Sequence, residues 1–215
     1  MPKYFTFELT DFDPDTLPKG CRPPSDWLVE IDEYYLQSAV SYYGLNSKVP
    51  NYSRAAAIIK GRAIDTSEMS ERQIVSLFES CKLLYGLLHQ RYIVTEDGIR
   101  RLYSKYKRKV YGVCPRTACQ GRALIPMGLD IEHGQNTVKC YCPQCHDIYN
   151  TYSQLDGAFF GPDLPIMFHK VCEIPTKFRP HSNFFGKYLD ENGKEVPEIK
   201  QRLHRWGETR ASSLV

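Results

Sequence analysis

The sequence has none of the long apolar runs that cross membranes. No stretch approaches the ~20 consecutive apolar residues that a spanning helix needs. Residues 1–10 contain one Lys and no apolar segment of the kind that a secretory signal carries. We therefore expect an intracellular protein that neither inserts into membranes nor is secreted.

The chain also lacks a strong excess of one charge. Its 28 Lys and Arg and 25 Asp and Glu give a formal net charge of +3 over 215 residues, which is too small to argue for nucleic-acid binding by itself. A basic stretch between residues 100 and 109 can be interpreted in two ways. It is either the solvated face of a helix, whose C-terminal cations suit the helix dipole, or a patch that binds polyanions such as nucleic acid.

Common catalytic and nucleotide-binding motifs are missing as well. The sequence has no GxxxxGK[ST] loop, no GxGxxG, no GxSxG, and neither the HRD nor the DFG signature of protein kinases. Residues 11–13 (DFD) resemble the last of these only superficially, because no kinase sequence surrounds them. Since a catalytic site can also assemble from scattered residues, these absences disfavour an enzyme without excluding one.

Residues 27–109 have the pattern of a helical domain, and residues 1–26 form a Pro- and Asp-rich arm that we expect to be irregular. The clearest helix begins at Ser70 with a Ser-x-x-Gln capping box, and apolar residues then recur at three- and four-residue steps through Leu88. Cys81 lies in that apolar series, so we expect it in the core.

Three further helices are predicted from caps and apolar spacing. The first is capped by Asp32 and runs to about Tyr43, with Leu36, Ala39, Val40 and Tyr43 on one face. The second, residues 52–60, is capped by Asn51, and the third, residues 96–108, is capped by Thr95. The last carries Ile99, Leu102 and Tyr106 as its apolar stripe.

After Val110 the sequence changes character. Short β-prone segments at 111–113, 123–125 and 137–141 alternate with Gly and Pro, and five of the eight Cys fall between residues 114 and 145. In a reducing compartment, clustered Cys indicate metal ligands rather than disulfides. Residues 169–215, which are aromatic and then strongly charged, are expected to form a C-terminal tail.

Cys114, Cys119, Cys142 and Cys145 form the pattern of a Cys₄ zinc site, with two close pairs separated by about twenty residues. Each pair lets one tight turn present two thiolates to the same ion, and a Pro after the first Cys of each pair fixes the backbone. One structural zinc per chain would supply folding free energy to a module too small for a core of its own. A site closed by four Cys leaves no position for water or substrate, which disfavours a metalloenzyme.

Neighbouring residues leave alternatives open around this site. Cys140 is two residues before Cys142, so both face the same side of a strand, and Cys140 is either a substitute ligand or a core residue. His133 and His146 are close in sequence, but four Cys already fill a structural site. Iron is the less favoured metal, and the sequence lacks the His-x-Glu motif that a zinc deaminase requires.

The two halves together resemble the regulatory (beta) subunits of casein kinase II. The resemblance runs from about residue 27 to 180 and includes short segments that in combination are specific to that family. These are 29–33 (VEIDE), 43–46 (YGLN), 84–89 (LYGLLH), 111–116 (YGVCPR), 138–145 (VKCYCPQC) and 156–161 (DGAFFG).

The resemblance implies an α+β fold. An all-helical N-terminal domain, residues 27–109, is joined to a small three-stranded antiparallel zinc ribbon, residues 110–168, and an extended docking tail. It also implies a subunit without catalysis of its own, which forms a homodimer through the ribbon and carries two catalytic subunits of a Ser/Thr protein kinase. Such a subunit stabilises the kinase and changes its choice of protein substrates, in the cytoplasm and nucleus. The alternative is a zinc-ribbon module that binds nucleic acid or acts in transcription.

Two sets of contact residues follow from this resemblance. A Cys₄ ribbon has almost no interior, so its apolar residues must be buried in a dimer surface or in local packing. The candidates are Pro115, Val138, Tyr141, Ile148 and Tyr149. The family docks its catalytic subunit with an aromatic pair on a hairpin after an F/Y-R-P motif, here residues 178–180. We expect docking residues among Met167, Phe184, Phe185, Tyr188 and Leu189, with a turn at 190–193.

The chain departs from the family pattern in four places. Pro-rich sequence replaces the N-terminal self-phosphorylation segment of Ser and acidic residues. The acidic loop expected near residues 61–70 has only two carboxylates, so electrostatic capture of polyamines and basic substrates is expected to be weak. Cys140 stands where the family has an aliphatic residue, and the docking tail is divergent.

Overall fold

The computed structural model describes residues 4–13 and 22–174, together with two short strands of the tail. The helices are α1 (Pro24–Trp27), α2 (Glu33–Gln37), α3 (Tyr52–Ile59), α4 (Glu71–Tyr92), α5 (Glu96–Lys107) and α6 (Leu164–Cys172). The strands are β1 (Tyr4–Phe5), β2 (Ile64–Asp65), β3 (Ile125–Met127), β4 (Lys139–Tyr141), β5 (Ile148–Asn150), β6 (Tyr188–Leu189) and β7 (Glu195–Val196). Across these residues, no helix is both long and apolar enough to cross a lipid bilayer.

Helix α4, with 22 residues, is the centre of the helical unit. It begins as predicted, because Ser70 and Gln73 close a capping box in which the Ser70 N–H donates to Gln73 Oε1 at 2.8 Å. Its apolar face fully buries Leu77, Cys81 and Leu84, and α3 packs along it. The prediction that Cys81 is a core residue is therefore confirmed.

Helix α5 also agrees with its sequence pattern. Thr95 Oγ1 accepts the Gly98 N–H at 3.2 Å, so Thr95 is the predicted cap. Ile99, Leu102 and Tyr106 are buried. The apolar stripe of this helix packs on α6, which places the C-terminal helix against the helical unit.

The helix predicted at 32–43 is shorter in the structure. Asp32 caps α2 as expected, because its Oδ1 accepts the Tyr34 N–H at 2.9 Å. Helix α2 nevertheless ends at Gln37, and the chain continues as the 3₁₀ turn Val40–Tyr42. The Tyr42 hydroxyl donates to the Leu36 carbonyl at 2.9 Å, so a side chain replaces the backbone N–H that would have extended the helix.

The prediction that Val40 and Tyr43 lie on a buried helix face is wrong. These side chains are 81% and 84% exposed, because the break after α2 turns them towards solvent. The predicted side-chain cap of α3 is also wrong. Asn51 adopts a left-handed conformation with φ of 50°, and its amide donates to the hydroxyls of Ser76 and Ser80 on α4 instead.

Strands β3, β4 and β5 form one antiparallel sheet in that order, which confirms the three-stranded sheet. The β-prone segment at 111–113 contributes only an isolated bridge, from Val113 to Ala123. In β4 and β5, Cys140 and Tyr149 lie opposite each other and are buried, whereas the neighbouring pair Tyr141 and Ile148 is half-buried. The part of the sheet formed by β4 and β5 therefore has one covered face and one partly open face, whereas all three residues of β3 are buried.

The N-terminal arm is folded where the structure describes it. Strand β1 pairs antiparallel with β2, and the ring of Phe12 lies 6.0 Å from that of Tyr85 and 6.1 Å from that of Phe159. The expectation of an irregular arm is wrong for residues 4–13, because these aromatic contacts hold it against α4 and the segment that follows the ribbon. Residues 14–21 lie outside the described part of the chain.

His89 joins three segments that are distant in sequence. Its Nε2 accepts the Val29 N–H at 2.9 Å, and its Nδ1 lies 2.7 Å from the Phe159 carbonyl oxygen. Because a carbonyl can only accept, Nδ1 carries the proton and the ring is the neutral tautomer. Burial of the ring lowers the pKa of His89 to about 4, so the imidazole is neutral at ordinary pH.

The predicted domain boundaries are only partly visible as breaks in packing. One buried core includes residues of α4, α5 and the ribbon. The boundary predicted after residue 168 falls inside α6, which extends the folded region to Cys172. The division at residue 109 stays a prediction.

Candidate metal centre

The four predicted Cys ligands meet in space. Their Sγ atoms all lie within 4.8 Å of one another, with Cys114 and Cys145 3.7 Å apart and Cys119 and Cys142 3.9 Å apart. A tetrahedral ion with metal–sulphur bonds of about 2.3 Å requires sulphur separations of about 3.8 Å. The cluster therefore fits a tetrahedral thiolate-bound ion.

Each pair of Cys is presented by a tight turn that ends in the same way. In the first turn the Cys119 N–H donates to the Arg116 carbonyl at 3.0 Å, and Gln120 follows with φ of 50°. In the second turn the His146 N–H donates to the Cys142 carbonyl at 2.9 Å, and His146 has φ of 60°. A left-handed residue directly after the second Cys reverses the chain, so that both sulphurs of a turn point inwards.

Hydrogen bonds and charges tie the two turns to the rest of the ribbon. The Cys114 N–H donates to the Arg122 carbonyl at 2.8 Å, and the Cys142 N–H donates to the Asp147 carbonyl at 3.0 Å. Arg116 of the first turn forms an ion pair with Asp147 of the second. The ligands are thus positioned by both turns together.

The pKa values of the thiols in the cluster are shifted in different directions. Burial alone would raise the pKa of Cys114, but hydrogen bonds from Tyr149 and from the Arg116 backbone N–H outweigh it, and its pKa lies below the usual value. Burial and the neighbouring thiols raise the pKa of Cys119 to about 12. Four ionised thiols this close repel one another unless a cation lies between them. A divalent ion bound here would supply that charge and cross-link the turns.

The other candidate ligands near the site lie outside the cluster. Cys140 is buried, and its thiol donates to the Tyr111 carbonyl at 3.5 Å, so it is a core residue and not a substitute ligand. His146 Nδ1 lies 2.6 Å from the Tyr141 hydroxyl, and His133 is exposed. Among the described residues, the four Cys are the only group of three or more Cys, His, Asp or Glu able to hold an ion.

The residues predicted for a dimer surface divide into two groups. Pro115 is exposed, and Tyr141 and Ile148 are half-buried. Val138 and Tyr149 are 0% and 1% exposed in the single chain. These two side chains belong to the interior of the protomer, because the ribbon has enough neighbouring chain around it to cover one of its faces.

The residues predicted for docking lie mostly in the tail. Met167 is half-buried on α6 and packs against the core. Phe184, Phe185 and the F-R-P segment lie outside the described residues. Tyr188 and Leu189 form β6, which pairs antiparallel with β7, in agreement with the hairpin expected there.

The basic stretch is engaged in local contacts. Arg100 forms ion pairs with Glu96 and Asp97 of the same helix. Arg101 lies 3.6 Å from Asp32, and Lys105 Nζ donates to the Asp26 carbonyl at 2.7 Å. These contacts favour the interpretation as a structural helix face over a free polyanion patch.

Tyr149 is the site residue that sequence reasoning missed. The sequence left it between a dimer surface and local packing and gave it no role at the metal centre, yet its hydroxyl lies beside two of the four sulphurs. The alternation of side chains along β5 could have indicated this position. Successive side chains of a strand point to opposite faces, so Tyr149 faces the side of the sheet opposite to that of the half-buried Ile148.

Comparison with known proteins agrees with this architecture. The family model of the casein kinase II regulatory subunit matches residues 21–189. Casein kinase II subunit beta of Dictyostelium discoideum is 39% identical over 159 residues, which cover 71% of this chain and 59% of that protein. The subunit beta of Schizosaccharomyces pombe is 37% identical over 152 residues, 68% of this chain and 64% of that protein.

A third relative extends the same finding to animals. Casein kinase II subunit beta' of Drosophila melanogaster is 37% identical over 149 residues, which cover 67% of each chain. The matched region thus spans about three fifths to two thirds of the length of these relatives. With the family model matching most of the sequence, the chain belongs to the casein kinase II regulatory subunit family.

Proposed function

We propose that this chain is a non-catalytic regulatory subunit of a Ser/Thr protein kinase of the casein kinase II type. It holds one structural zinc ion, forms a homodimer through the ribbon, and carries catalytic subunits whose stability and substrate choice it modifies. The observation that carries the proposal is the Cys₄ cluster, set in a chain of the regulatory subunit family. We propose the cytoplasm and nucleus as its location.

Zinc is the metal that the donor set favours. Four thiolates at tetrahedral separations are a common structural zinc site, and they leave no position open for a substrate or a reactive water. Their closure supports a structural role for the ion. The absence of a free coordination position is also the reason to propose a subunit that acts by assembly rather than by catalysis.

The partly open face of the sheet is the proposed dimer surface. Tyr141 and Ile148 are opposite each other on β4 and β5, and both keep exposed area that a second copy can cover. Pro115 stands exposed on the first turn of the same ribbon. Burying this apolar area against a second ribbon compensates for the small interior of the module.

The tail hairpin is the proposed contact with the catalytic subunit. Strands β6 and β7 pair with each other and follow the aromatic residues 184 and 185 in the sequence, and large aromatic side chains are frequent interface anchors. Met167, half-buried on α6, is the proposed contact residue of the folded region. Protein substrates would then be selected by the assembled complex rather than by this chain alone.

The test is the mass in solution, measured by light scattering. Alone, the protein is expected at twice its chain mass of 24.9 kDa. Mixed with a casein kinase II catalytic subunit of the same source, it is expected to form a complex of two regulatory and two catalytic chains. A dimer that does not bind the catalytic subunit would contradict the proposed kinase partner. Salt-dependent binding to DNA or RNA would then test the alternative of a zinc-ribbon module that binds nucleic acid. A monomer with full zinc content would contradict the dimer.

A further inference from the structure

Tyr149 brings one buried hydroxyl to the sulphurs of both turns. Its Oη lies 3.4 Å from Cys114 Sγ and 3.2 Å from Cys145 Sγ, and the two sulphurs are 3.7 Å apart. The side chain is 1% exposed. A single group therefore contacts one ligand from each turn, along the edge where the turns meet.

The direction of these hydrogen bonds follows from the chemistry of the partners. A phenolic hydroxyl has one proton to donate, whereas a metal-bound thiolate has none and can only accept. Four thiolates around a divalent cation leave the centre with a net negative charge. A hydrogen bond donated to the sulphurs draws that charge away from the ion and fixes the orientation of the ligands, as outer-shell partners do in other metal sites.

The side of the cluster that Tyr149 contacts, formed by Cys114 and Cys145, is also the side most accessible to solvent. Cys114, Cys119 and Cys142 are buried, whereas Cys145 is only partly covered. A chelator or an oxidant therefore reaches Cys145 before the other three ligands. The Tyr149 hydroxyl lies 3.2 Å from this sulphur, where it stabilises the bound form of the ligand that is most easily lost.

We propose that Tyr149 is a positioning residue of the metal centre, whose hydroxyl shares its one proton between Cys114 and Cys145 in a bifurcated hydrogen bond in the zinc-bound protein and slows the loss of the ion past these two ligands. The role rests on the proposed zinc occupancy and is independent of any kinase partner. It differs from the family-based expectation, in which Tyr149 belonged to the dimer surface.

The first test compares the full-length wild type with Tyr149→Phe, which removes only the hydroxyl. Tyr111→Phe is the matched control, because it removes an equally buried hydroxyl that donates to the Trp27 carbonyl at 3.1 Å. Zinc content is measured first, and then the rate of zinc transfer to a chromogenic chelator in excess. We expect zinc in all three proteins and a release rate about tenfold higher in Tyr149→Phe alone. Equal rates in Tyr149→Phe and wild type would overturn the proposal.

A second readout separates the hydrogen bond from general loosening of the fold. Cobalt(II) in place of zinc gives sulphur-to-metal charge-transfer bands whose energy depends on how strongly the thiolates donate. Without the hydrogen bond from Tyr149, the sulphurs donate more electron density to the metal. These bands are therefore expected at longer wavelength in Tyr149→Phe and unchanged in Tyr111→Phe. Bands that coincide in all three proteins would contradict the proposed hydrogen bonds.

The remaining outcomes are equally decisive. If Tyr149→Phe does not hold metal, the wild type is compared in its zinc and cadmium forms by proton NMR. The buried Tyr149 hydroxyl resonance is expected to move between the two metals, and an unmoved resonance would refute the contact. A wild type that binds no zinc would overturn this role and the proposed metal together, whereas a zinc-bound wild type with unaltered Tyr149→Phe kinetics would overturn this role alone.

Discussion

Gly86 lies directly beneath the ring of Phe159. A Cβ atom at this position of α4 would stand 2.2 to 2.5 Å from three atoms of the ring, closer than any real contact. The absence of a side chain at residue 86 is what lets the segment after the ribbon approach the long helix. The close approach of Phe159 to α4 thus requires a glycine at this position.

We expect Gly86→Ala to destabilise the protein even though Ala favours helices. Helix propensity alone would add about 1 kcal/mol to stability, but overpacking against a ring held from both sides costs about 1–3 kcal/mol. Urea unfolding should show a net loss or, at most, no gain. Val75→Ala on the exposed side of the same helix is the control and should be neutral or stabilising. A clear gain of stability in Gly86→Ala would refute the close contact.

The buried His89 predicts a loss of stability in mild acid. Its pKa is about 4 in the folded chain and about 6.5 in an unfolded chain, so the unfolded state binds the proton more readily. The neutral, buried His89 therefore contributes to the free energy of unfolding, and this contribution is fully present above about pH 6.5 and is lost as the pH falls towards 4. Its size is about 3 kcal/mol.

Urea midpoints of wild type and His89→Gln between pH 7 and pH 4 measure this effect. His89→Gln is expected to be less stable at pH 7 and to lose less on acidification. Loss of metal at low pH affects both proteins and cancels in the comparison. Parallel pH profiles for the two proteins would show that His89 does not titrate as described.

Loss of one ligand is expected to abolish metal binding and dimerisation. Cys114→Ser should bind no zinc and should run as a monomer by light scattering, with most of its helical circular dichroism retained because α3 packs directly on α4. Cys140→Ala is the matched control, since it removes a buried thiol of the same sheet that is not a ligand. A Cys114→Ser protein that stays dimeric and still assembles with a kinase would contradict the proposed role of the metal.

The N-terminal arm is expected to contribute to stability. Phe12 contacts the rings of Tyr85 and Phe159, so Phe12→Ala should lower the free energy of unfolding by about 1–3 kcal/mol. Thr6→Ala, at an exposed position of the same arm, should change it little. Equal stability of the two variants would mean that the arm is not held by these rings.

Local signals explain which features could be predicted. Helices α4 and α5 are long enough for caps and apolar spacing to define them, and the four Cys ligands depend only on short-range spacing. The failures involve partners that are distant in sequence or side chains that compete with the backbone. Phe12 finds Tyr85 and Phe159 only in the folded chain, and the Tyr42 hydroxyl ends a helix that periodicity alone would have continued. For Tyr149 the sequence could not decide between a dimer surface and local packing, because the face of a short strand that becomes covered depends on the whole chain.

The hydrogen bonds of His89 have a consequence for folding during synthesis. They join α4 to Val29 and to Phe159, with sequence separations of 60 and 70 residues, and the second partner follows all three strands of the ribbon sheet. Contacts of such long range form late in folding. While the ribosome is still making residues before 159, the imidazole of His89 cannot be satisfied on both sides. Completion of the helical unit therefore waits until the ribbon has left the exit tunnel, and the nascent chain exposes the surface around α4 until then.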